Sequence, residues 1–124
     1  MNLVLIVEDN PLNLKLARDI LEAKGFAVVT AGTGEEGVLT AVAKLPKLVL
    51  MDIQLPGIDG VEALARLRAE PATAEIPVVA FTASVTAGDR SRVSDAGFDG
   101  FVSKPIDLKE FVATVSRFCA GDKT

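Results

Sequence analysis

Five short apolar runs recur along the chain, and they alternate with longer stretches whose apolar residues are spaced three or four positions apart. The runs lie at residues 3–7, 26–31, 47–52, 76–82 and 99–103. A short run with almost no polar alternation is typical of a strand buried on both faces of a parallel sheet. The stretches between the runs have the period of an amphipathic helix. The pattern therefore predicts five strands alternating with five helices.

Three of the predicted helices begin with residues that favour a helix start. The pairs are Asn10 with Pro11, Thr33 with Glu36, and Asp107 with Glu110. Asn10 can cap the first turn of a helix, and proline is favoured at the first helical position, which Pro11 would occupy. The other two pairs have the spacing of a capping box. The third helix follows the turn residues Pro56 to Gly60. The fourth, at residues 86–96, has little apolar content and is predicted to be weakly anchored.

Apolar stripes indicate which face of each helix packs on the sheet. The residues expected there are Leu14, Ala17 and Leu21 with Leu16 and Ile20 beside them, then Val38, Leu39 and Val42, then Val61, Leu64 and Leu67, and last Leu108, Phe111, Val112, Val115, Phe118 and Cys119. Short helical crossovers require parallel strands with right-handed connections. We predict an α/β fold in which residues 1–124 form one domain, a doubly wound five-stranded parallel sheet in the order 2-1-3-4-5 with five helices.

Composition and charge exclude several classes of protein. With 49% hydrophobic and 24% charged residues the chain is typical of a globular protein, and no run approaches the length of a membrane span. A net charge of −4 argues against nucleic-acid binding. The single cysteine cannot form an internal disulfide, which fits the cytoplasm. The absence of histidine removes catalytic triads, histidine zinc sites and a phosphohistidine carrier, so any bound metal must be a hard ion with oxygen ligands.

Four of the predicted strands end in a polar residue: Asp9, Asp52, Thr82 and Lys104. The carboxyl ends of parallel strands share one edge, and the order 2-1-3-4-5 opens a crevice between the first and third strands. Asp9 and Asp52 are therefore expected to face each other there, with Glu8 alongside. Carboxylates so close repel, and a divalent cation relieves the repulsion. Oxygen ligands in a partly hydrated crevice suit Mg²⁺.

A phosphoryl group is the substrate that this set of residues suits. Asp52, on the central strand, is the candidate nucleophile, and Lys104 and Thr82 are candidates to bind the phosphoryl oxygens. Transfer to an ionised carboxylate depends on positioning and electrostatics, so a histidine base is not required. Taken singly, each acid also fits a turn or a helix cap, and Lys104 fits a solvated surface lysine. The joint occurrence at successive strand ends favours the site.

Residues 32–37, Gly-Thr-Gly-Glu-Glu-Gly, match the dinucleotide fingerprint G-x-G-x-x-G, follow a predicted strand and open a helix. Glu35 and Glu36 would repel a pyrophosphate at the first helical turn, and no second nucleotide-binding half is present. The capping pair Thr33 and Glu36 explains the same residues more simply. Two further alternatives stay open, a flavodoxin-like cofactor carrier and a pure interaction module of the same fold that accepts no phosphate, although the chain has no Trp or Tyr to stack on a flavin ring.

Four stretches resemble the receiver domain of bacterial two-component response regulators along nearly the whole chain. They are residues 5–10 (Leu-Ile-Val-Glu-Asp-Asn), 50–60 (Leu-Met-Asp-Ile-Gln-Leu-Pro-Gly-Ile-Asp-Gly), 79–83 (Val-Ala-Phe-Thr-Ala) and 101–105 (Phe-Val-Ser-Lys-Pro). Within that family the opening Val-Glu-Asp-Asn and the Met-Asp-Ile-Gln-Leu-Pro segment are most similar to single-domain regulators of the DivK and CheY type. The fold of this family is the flavodoxin-like arrangement predicted above.

The resemblance implies roles for particular residues. Glu8, Asp9, Asp52 and the backbone carbonyl of Gln54 would hold Mg²⁺, and Asp52 would be phosphorylated. Thr82, Lys104 and the backbone amide of Ala83 would hold the phosphoryl oxygens. Thr82 and Phe101 would form the switch, although Phe101 also fits a plain core residue. Gln54 and Ser84 occupy positions that tune dephosphorylation, and the Lys104–Pro105 peptide bond is expected to be cis.

The resemblance also implies partners. Phosphate would come from a sensor histidine kinase or a histidine phosphotransfer protein, and the output would be a protein contact through the face of the fourth helix, fifth strand and fifth helix. The protein would not be a conventional enzyme, although it would catalyse its own phosphorylation and dephosphorylation. We expect a monomer or weak dimer. Because the sequence stops soon after its fifth predicted helix, we expect no output domain.

Overall fold

The computed structural model describes residues 2–82 and 87–120, without the side chains of residues 87–90 and 92. The strands are β1 (Leu3–Val7), β2 (Ala27–Ala31), β3 (Leu48–Met51), β4 (Val78–Thr82) and β5 (Gly100–Ser103). The helices are α1 (Pro11–Ala23), α2 (Gly34–Lys44), α3 (Gly60–Ala69), α4 (Ala87–Ala96) and α5 (Leu108–Cys119). They alternate along the chain as predicted. Thr86, the predicted first residue of the fourth helix, lies outside the described residues.

All strand pairings are parallel, and the sheet order is β2-β1-β3-β4-β5, which confirms the predicted topology. β1 and β3 are neighbours at the centre, and Val7 pairs with Met51 at their carboxyl ends. The chain leaves β1 for α1 on one side and leaves β3 for α3 on the other. A crevice between the two strands is the expected consequence at this edge of the sheet.

The continuously apolar strands divide their side chains between two cores, because successive residues of a strand point to opposite faces. Ile6, Leu50 and Phe81 pack with residues of α1 and α5 on one face. Leu5 and Met51 pack with residues of α2, α3 and α4 on the other. Every residue of β3 and β4 is buried, as expected for central strands covered on both sides.

The predicted caps are present. The Asn10 side chain accepts hydrogen bonds from the backbone amides at positions 12 and 13, and Pro11 is the first residue of α1. Thr33 accepts from the Glu36 amide at 3.1 Å, and Asp107 caps α5 in the same way. The capping interpretation of residues 32–37 is therefore confirmed.

The predicted sheet-facing residues of α2 are wrong in two cases. Leu39 is 72% exposed and Val42 is 39% exposed, and Val38 is half-buried. The buried residues of α2 are small ones, namely Gly34, Gly37 and Ala41. The helix lies too close to the sheet for larger side chains, since a Cβ atom on Gly37 would be 2.7 Å from Cγ2 of Val7. Leu39 and Val42 thus face outward, whereas Val38 packs against the edge of the core.

Two leucines on the other helices are also more exposed than the stripes predict. Leu16 of α1 is 49% exposed because it lies at the border of the buried stripe that Ala17 and Leu21 form. Leu108 is 55% exposed. It is the first residue of α5, and α5 begins at the carboxyl edge of the sheet, so Leu108 has no strand to cover. Within the described part of the chain, no helix is long and apolar enough to cross a membrane.

An arginine ties the last two strands to the preceding helix. The Arg68 guanidinium donates to the carbonyl oxygen of Ile76 at 2.7 Å and to Asp99 Oδ2 at 2.7 Å. The same Asp99 oxygen accepts from the Val78 amide at 2.9 Å. These bonds hold the beginnings of β4 and β5 together at the amino edge of the sheet. The carboxyl ends of the same two strands carry the candidate site residues Thr82 and Lys104.

Candidate functional site

The carboxyl ends of β1 and β3 place three acids side by side. The Asp52 amide donates to the carbonyl oxygen of Val7 at 3.0 Å, so the residue after β3 lies next to the residues that follow β1. The Glu8 amide in turn donates to Ala31 of β2 at 3.0 Å. Glu8 and Asp52 thereby extend the parallel hydrogen bonding beyond the strand ends, which fixes their backbones.

Carboxylate oxygens of Glu8, Asp9 and Asp52 lie within 4.8 Å of one another. Glu8 and Asp52 are buried, at 1% and 5% exposure, whereas Asp9 is exposed. The structure therefore brings together the three acids that the strand-end pattern predicts to be neighbours. Their arrangement leaves the exposed carboxylate of Asp9 at the opening and the two buried ones inside.

Lys104 is the cation of this cluster. Its ammonium lies 3.1 Å from Asp52 Oδ2 and forms a second ion pair with Oε1 of Glu8. Its backbone amide donates to the carbonyl oxygen of Thr82 at 2.9 Å, and its Nζ lies 4.8 Å from the centre of the Phe81 ring. The predicted cis peptide bond at Lys104–Pro105 is present. The lysine side chain is 12% exposed, so its charge is mostly removed from water.

The loop of residues 53–59 that joins β3 to α3 is packed against Asp52. The Gln54 amide donates to Asp52 Oδ1 at 3.1 Å, and the Gly60 amide donates to the carbonyl oxygen of Ile53 at 2.8 Å. A Cβ atom on Gly60 would lie 2.7 Å from the Cα atom of Ile53 and would collide with the Asp52 carbonyl oxygen. Gly57 adopts φ = 73°, a conformation that favours glycine. The Gln54 side chain is exposed.

Burial raises the pKa of the Glu8 carboxyl above its ordinary value of 4.5, and the Asp52 carboxylate raises it further. The Lys104 ammonium and the Asn10 amide, which donates to Glu8 Oε2 at 3.1 Å, oppose this shift but do not cancel it. Glu8 Oε1 is fully buried and accepts no hydrogen bond from the described residues, although Lys104 is paired with it. The charged form of Glu8 is therefore incompletely compensated by the protein.

This shift of the Glu8 pKa predicts how metal-free stability depends on pH. A carboxyl whose pKa is raised by folding stabilises the protein fully below its unfolded pKa and loses that contribution as the pH rises through its folded pKa. Glu8→Gln removes the titration. We expect the variant to have a higher free energy of unfolding than the wild type at pH 7 without Mg²⁺, and the difference to vanish near pH 4. Urea unfolding across this pH range checks it, and a constant difference would contradict it.

Of the remaining predicted site residues, Thr82 lies at the same edge of the sheet and Phe101 lies within β5. Thr82 ends β4 and is 2% exposed, and its Cα atom pairs with Ser103 of β5. Phe101 is half-buried and packs with the core on the side of α2, α3 and α4. A cavity of about 160 Å³ lies beside Phe101, lined also by Val93 and Phe98. Ala83 and Ser84 lie outside the described residues.

The donor set fits a hard divalent cation. Three carboxylates face one ammonium, which leaves an excess of negative charge, and the described cluster has only oxygen atoms to offer as ligands. Glu8 Oε1 is buried and shares its partner, the Lys104 ammonium, with Asp52, so it is an oxygen that a divalent cation can bind as well. Mg²⁺ prefers such carboxylate oxygens and keeps several waters, which the exposed side of Asp9 allows.

Three features of the site are not evident from the sequence patterns. The pairing of Lys104 with Glu8 is one, since both residues were assigned to other contacts. The close approach of Gly60 to the Asp52 backbone is another. The third is the buried face of α2, which consists of the small residues Gly34, Gly37 and Ala41. Their helical spacing could have predicted this face, but the larger apolar residues of the same helix suggested a different one.

Comparison with known proteins places these features in context. Residues 4–116 match the response regulator receiver domain family. The polar-differentiation response regulator DivK of Brucella ovis is 40% identical over 115 residues, which cover 93% of this chain and 94% of that protein. The DivK of Brucella anthropi matches to the same extent.

Solved structures agree with the family match. A response regulator from Chloroflexus aurantiacus superposes with a TM-score of 0.91 at 29% identity, covering 96% of this chain and 98% of that one. The receiver domain of a sensor histidine kinase from Pseudomonas aeruginosa superposes with a TM-score of 0.89 at 30% identity and the same coverage. A magnesium ion is coordinated in the active site cleft of that receiver domain.

Proposed function

Because this chain belongs to the response regulator receiver domain family, we propose that Asp52 is the residue that accepts the phosphoryl group. The observation that supports this assignment is the cluster at the crevice: Asp52 directly follows the central strand, two further acids lie beside it, and Lys104 is paired with it. A buried carboxylate held by a lysine, with an adjacent cation site, is suited to phosphoryl transfer.

In the proposed reaction a carboxylate oxygen of Asp52 forms a bond to phosphorus while the bond from phosphorus to the imidazole nitrogen of the donor breaks. The electron pair of the broken bond stays on that nitrogen. Asp52 has no proton to lose, so no general base is needed. The Gln54 amide, 3.1 Å from Asp52 Oδ1, orients the carboxylate for the attack. The Lys104 ammonium, which is paired with the Asp52 carboxylate before the reaction, pairs with a phosphoryl oxygen once the acyl phosphate has formed.

Glu8, Asp9, Asp52 and the backbone carbonyl of Gln54 are the proposed ligands of Mg²⁺. When bound, the ion neutralises charge on the transferring phosphoryl group. Glu8 supplies a buried oxygen and Asp9 an exposed one, so together they define the inner and outer sides of the site. The raised pKa of Glu8 means that a proton competes with the cation for this carboxylate.

Thr82, Lys104 and the Ala83 amide are the proposed contacts for the phosphoryl oxygens. Thr82 would turn toward the phosphate, and Phe101 would turn inward into the space that Thr82 leaves. The cavity of about 160 Å³ beside Phe101 supports this proposed change in the position of the ring. Among the described side chains of α4, Val93 is buried and Ala96 packs against the core, so this described part of the helix opposes a shift with few buried contacts. The output would be a changed surface on α4, β5 and α5.

The phosphodonor in this proposal is a sensor histidine kinase or a histidine phosphotransfer protein, and the transfer takes place in the cytoplasm. The downstream partner is a protein that binds the face of α4, β5 and α5. A receiver domain is not a conventional enzyme, and we propose that this one catalyses its own Mg²⁺-dependent phosphorylation and dephosphorylation. The expectations of a monomer or weak dimer and of action without an output domain stay predictions.

Incubation with a small phosphodonor and Mg²⁺ tests this proposal. We expect one phosphoryl group per chain, detected by intact-mass measurement, and we expect hydroxylamine to remove it because it cleaves acyl phosphates. Omission of Mg²⁺ should abolish labelling. A label that resists hydroxylamine, or that forms equally without Mg²⁺, would contradict an aspartyl phosphate at this site.

Asp9→Ala changes a proposed Mg²⁺ ligand and leaves the proposed nucleophile, Asp52, unchanged, so it tests the role of the cation in the labelling assay. We expect Mg²⁺ binding, followed by calorimetry, to weaken by more than the roughly 10–100-fold that is typical when a residue behind a metal ligand is changed, because here one of three carboxylate ligands is itself lost. Labelling should then require much higher Mg²⁺ concentrations. Asp19→Ala, which removes an exposed acid on α1, is the control and should bind Mg²⁺ as the wild type does.

A further inference from the structure

The glycine-rich segment of residues 32–37, which resembles a nucleotide-binding fingerprint, has no role in the proposed chemistry. In the structure it forms the beginning of α2, and Thr33 caps the helix. Its three glycines differ in their surroundings. A Cβ atom on Gly32 would meet nothing within 4 Å, whereas those on Gly34 and Gly37 would collide with neighbours. The capping function of Thr33 does not explain that difference.

Gly34 packs against the loop that follows Asp52. A Cβ atom at this position would lie 2.7 Å from Cγ1 and 2.9 Å from the backbone carbonyl oxygen of Ile58. Both separations are shorter than real Cβ contacts, and the carbonyl oxygen cannot move by a simple side-chain rotation. The carboxylate of Glu35, the next residue, lies over Gly57 in the same loop. The first turn of α2 therefore covers residues 57 and 58.

The loop of residues 53–59 is short and held at both ends. At its start the Gln54 amide donates to Asp52 Oδ1, and at its end the Gly60 amide donates to Ile53. Gly60 also lies against the Asp52 backbone. A displacement of Ile58 cannot be absorbed within so few residues, so it reaches Gln54, whose carbonyl oxygen is a proposed Mg²⁺ ligand.

The helix itself is less free to move than the loop. Gly37, one turn later, is in contact with Val7 of β1, and Ala41 is buried against the same core. Ile58 is only half-buried. If a side chain is added at Gly34, the loop yields because α2 is fixed to the sheet by its small residues.

We propose that Gly34 is a positioning residue of the metal site: its missing side chain lets the first turn of α2 hold the loop of residues 53–59 where Asp52 and the Gln54 carbonyl face one cation. This inference rests on the proposed function of the acidic cluster as a Mg²⁺ site. Gly34 is not one of the proposed Mg²⁺ ligands or phosphoryl contacts, and it acts through Ile58.

Gly34→Ala tests the inference by three measurements on the whole chain. We expect the dissociation constant for Mg²⁺, measured by calorimetry, to rise roughly tenfold, as is typical when a residue behind metal ligands is changed. We expect the amide resonance of Gln54, which reports its bond to Asp52, to shift in the metal-free protein. The double variant Gly34→Ala/Ile58→Ala should recover part of the affinity, because it removes the clash with the Ile58 side chain but not with its carbonyl.

Two controls isolate this effect. Gly32→Ala adds the same methyl group to the same segment in open space and should bind Mg²⁺ as the wild type does. Val115→Ala weakens the core on the opposite face of the sheet and should lower the urea midpoint without changing Mg²⁺ affinity. If Gly34→Ala lowers stability alone and keeps wild-type Mg²⁺ affinity, Gly34 is merely structural and the inference is wrong. If the wild type itself binds no Mg²⁺, the proposed function fails instead.

Discussion

Asp52→Asn protein is expected to take up no phosphoryl group from a phosphodonor or a phosphorylated histidine protein. The amide of Asn is not a nucleophile toward phosphorus, and no other described carboxylate combines burial at the crevice, a position directly after the central strand and an ion pair with Lys104. Glu8 is buried at the crevice too, but it follows β1 rather than the central strand β3. Labelling should fall to background, measured by intact mass after incubation with Mg²⁺.

Asp59→Asn is the matched control for this loss. Asp59 lies seven residues later in the same loop and caps α3 by accepting from the Glu62 amide at 2.9 Å. Asn caps a helix about as well as Asp, so the fold and the loop should be kept. We expect wild-type labelling of this variant. Hydroxylamine-sensitive label that persists in Asp52→Asn would show that another carboxylate accepts the phosphate, and the assignment of Asp52 would be wrong.

The sheet could be predicted almost completely from the apolar runs, for a physical reason. A strand buried on both faces cannot contain polar residues except at its ends, so β1, β3 and β4 are visible in the sequence and their boundaries follow from the first polar residue. The alternation with helices then leaves few possible topologies, because parallel neighbours need right-handed crossovers. The observed order is the predicted one.

Helix faces were less predictable, and α2 shows why. Its larger apolar residues, Leu39 and Val42, point outward, while glycines and an alanine face the sheet. A stripe of apolar residues indicates a buried face only when the helix lies at the usual distance from its neighbours. Here the helix is closer, and contact with Val7 is possible only for glycine at position 37. Such a distance depends on the whole packing and is not contained in the local pattern.

The candidate site also has features that could be predicted from the sequence and features that could not. The proximity of Asp9 and Asp52 follows from topology alone, since the ends of adjacent parallel strands must meet. The second ion pair of Lys104, with Glu8, depends on how far a flexible side chain reaches across the crevice. The contact of Gly34 with Ile58 joins the first residue of α2 to the loop of residues 53–59. Strand ends could therefore be predicted, whereas the contacts that orient them required the structure.

The second large effect that we expect is a loss of stability when the positive charge in the crevice is removed. Lys104 compensates two buried carboxylates, and its own side chain is only 12% exposed. Lys104→Met keeps an unbranched side chain that is one atom shorter and can still pack near Phe81, but it leaves both carboxylates without a cation. Removal of one partner from a buried ion pair destabilises by about 3–5 kcal/mol. The loss should be smaller here, about 2–3 kcal/mol at pH 7 without Mg²⁺, because Glu8 can take up a proton.

Mg²⁺ should restore most of this loss in Lys104→Met, since the cation takes over the compensation of the carboxylates. A ligand at one hundred times its dissociation constant stabilises the folded state by about 2.7 kcal/mol. Urea unfolding with and without Mg²⁺ measures both quantities. Lys109→Met, at an exposed position of α5, is the control and should change stability by no more than about 0.5 kcal/mol. A Lys104→Met protein that is as stable as the wild type without Mg²⁺, or that Mg²⁺ fails to stabilise, would mean that the acids of the crevice do not share a common cation.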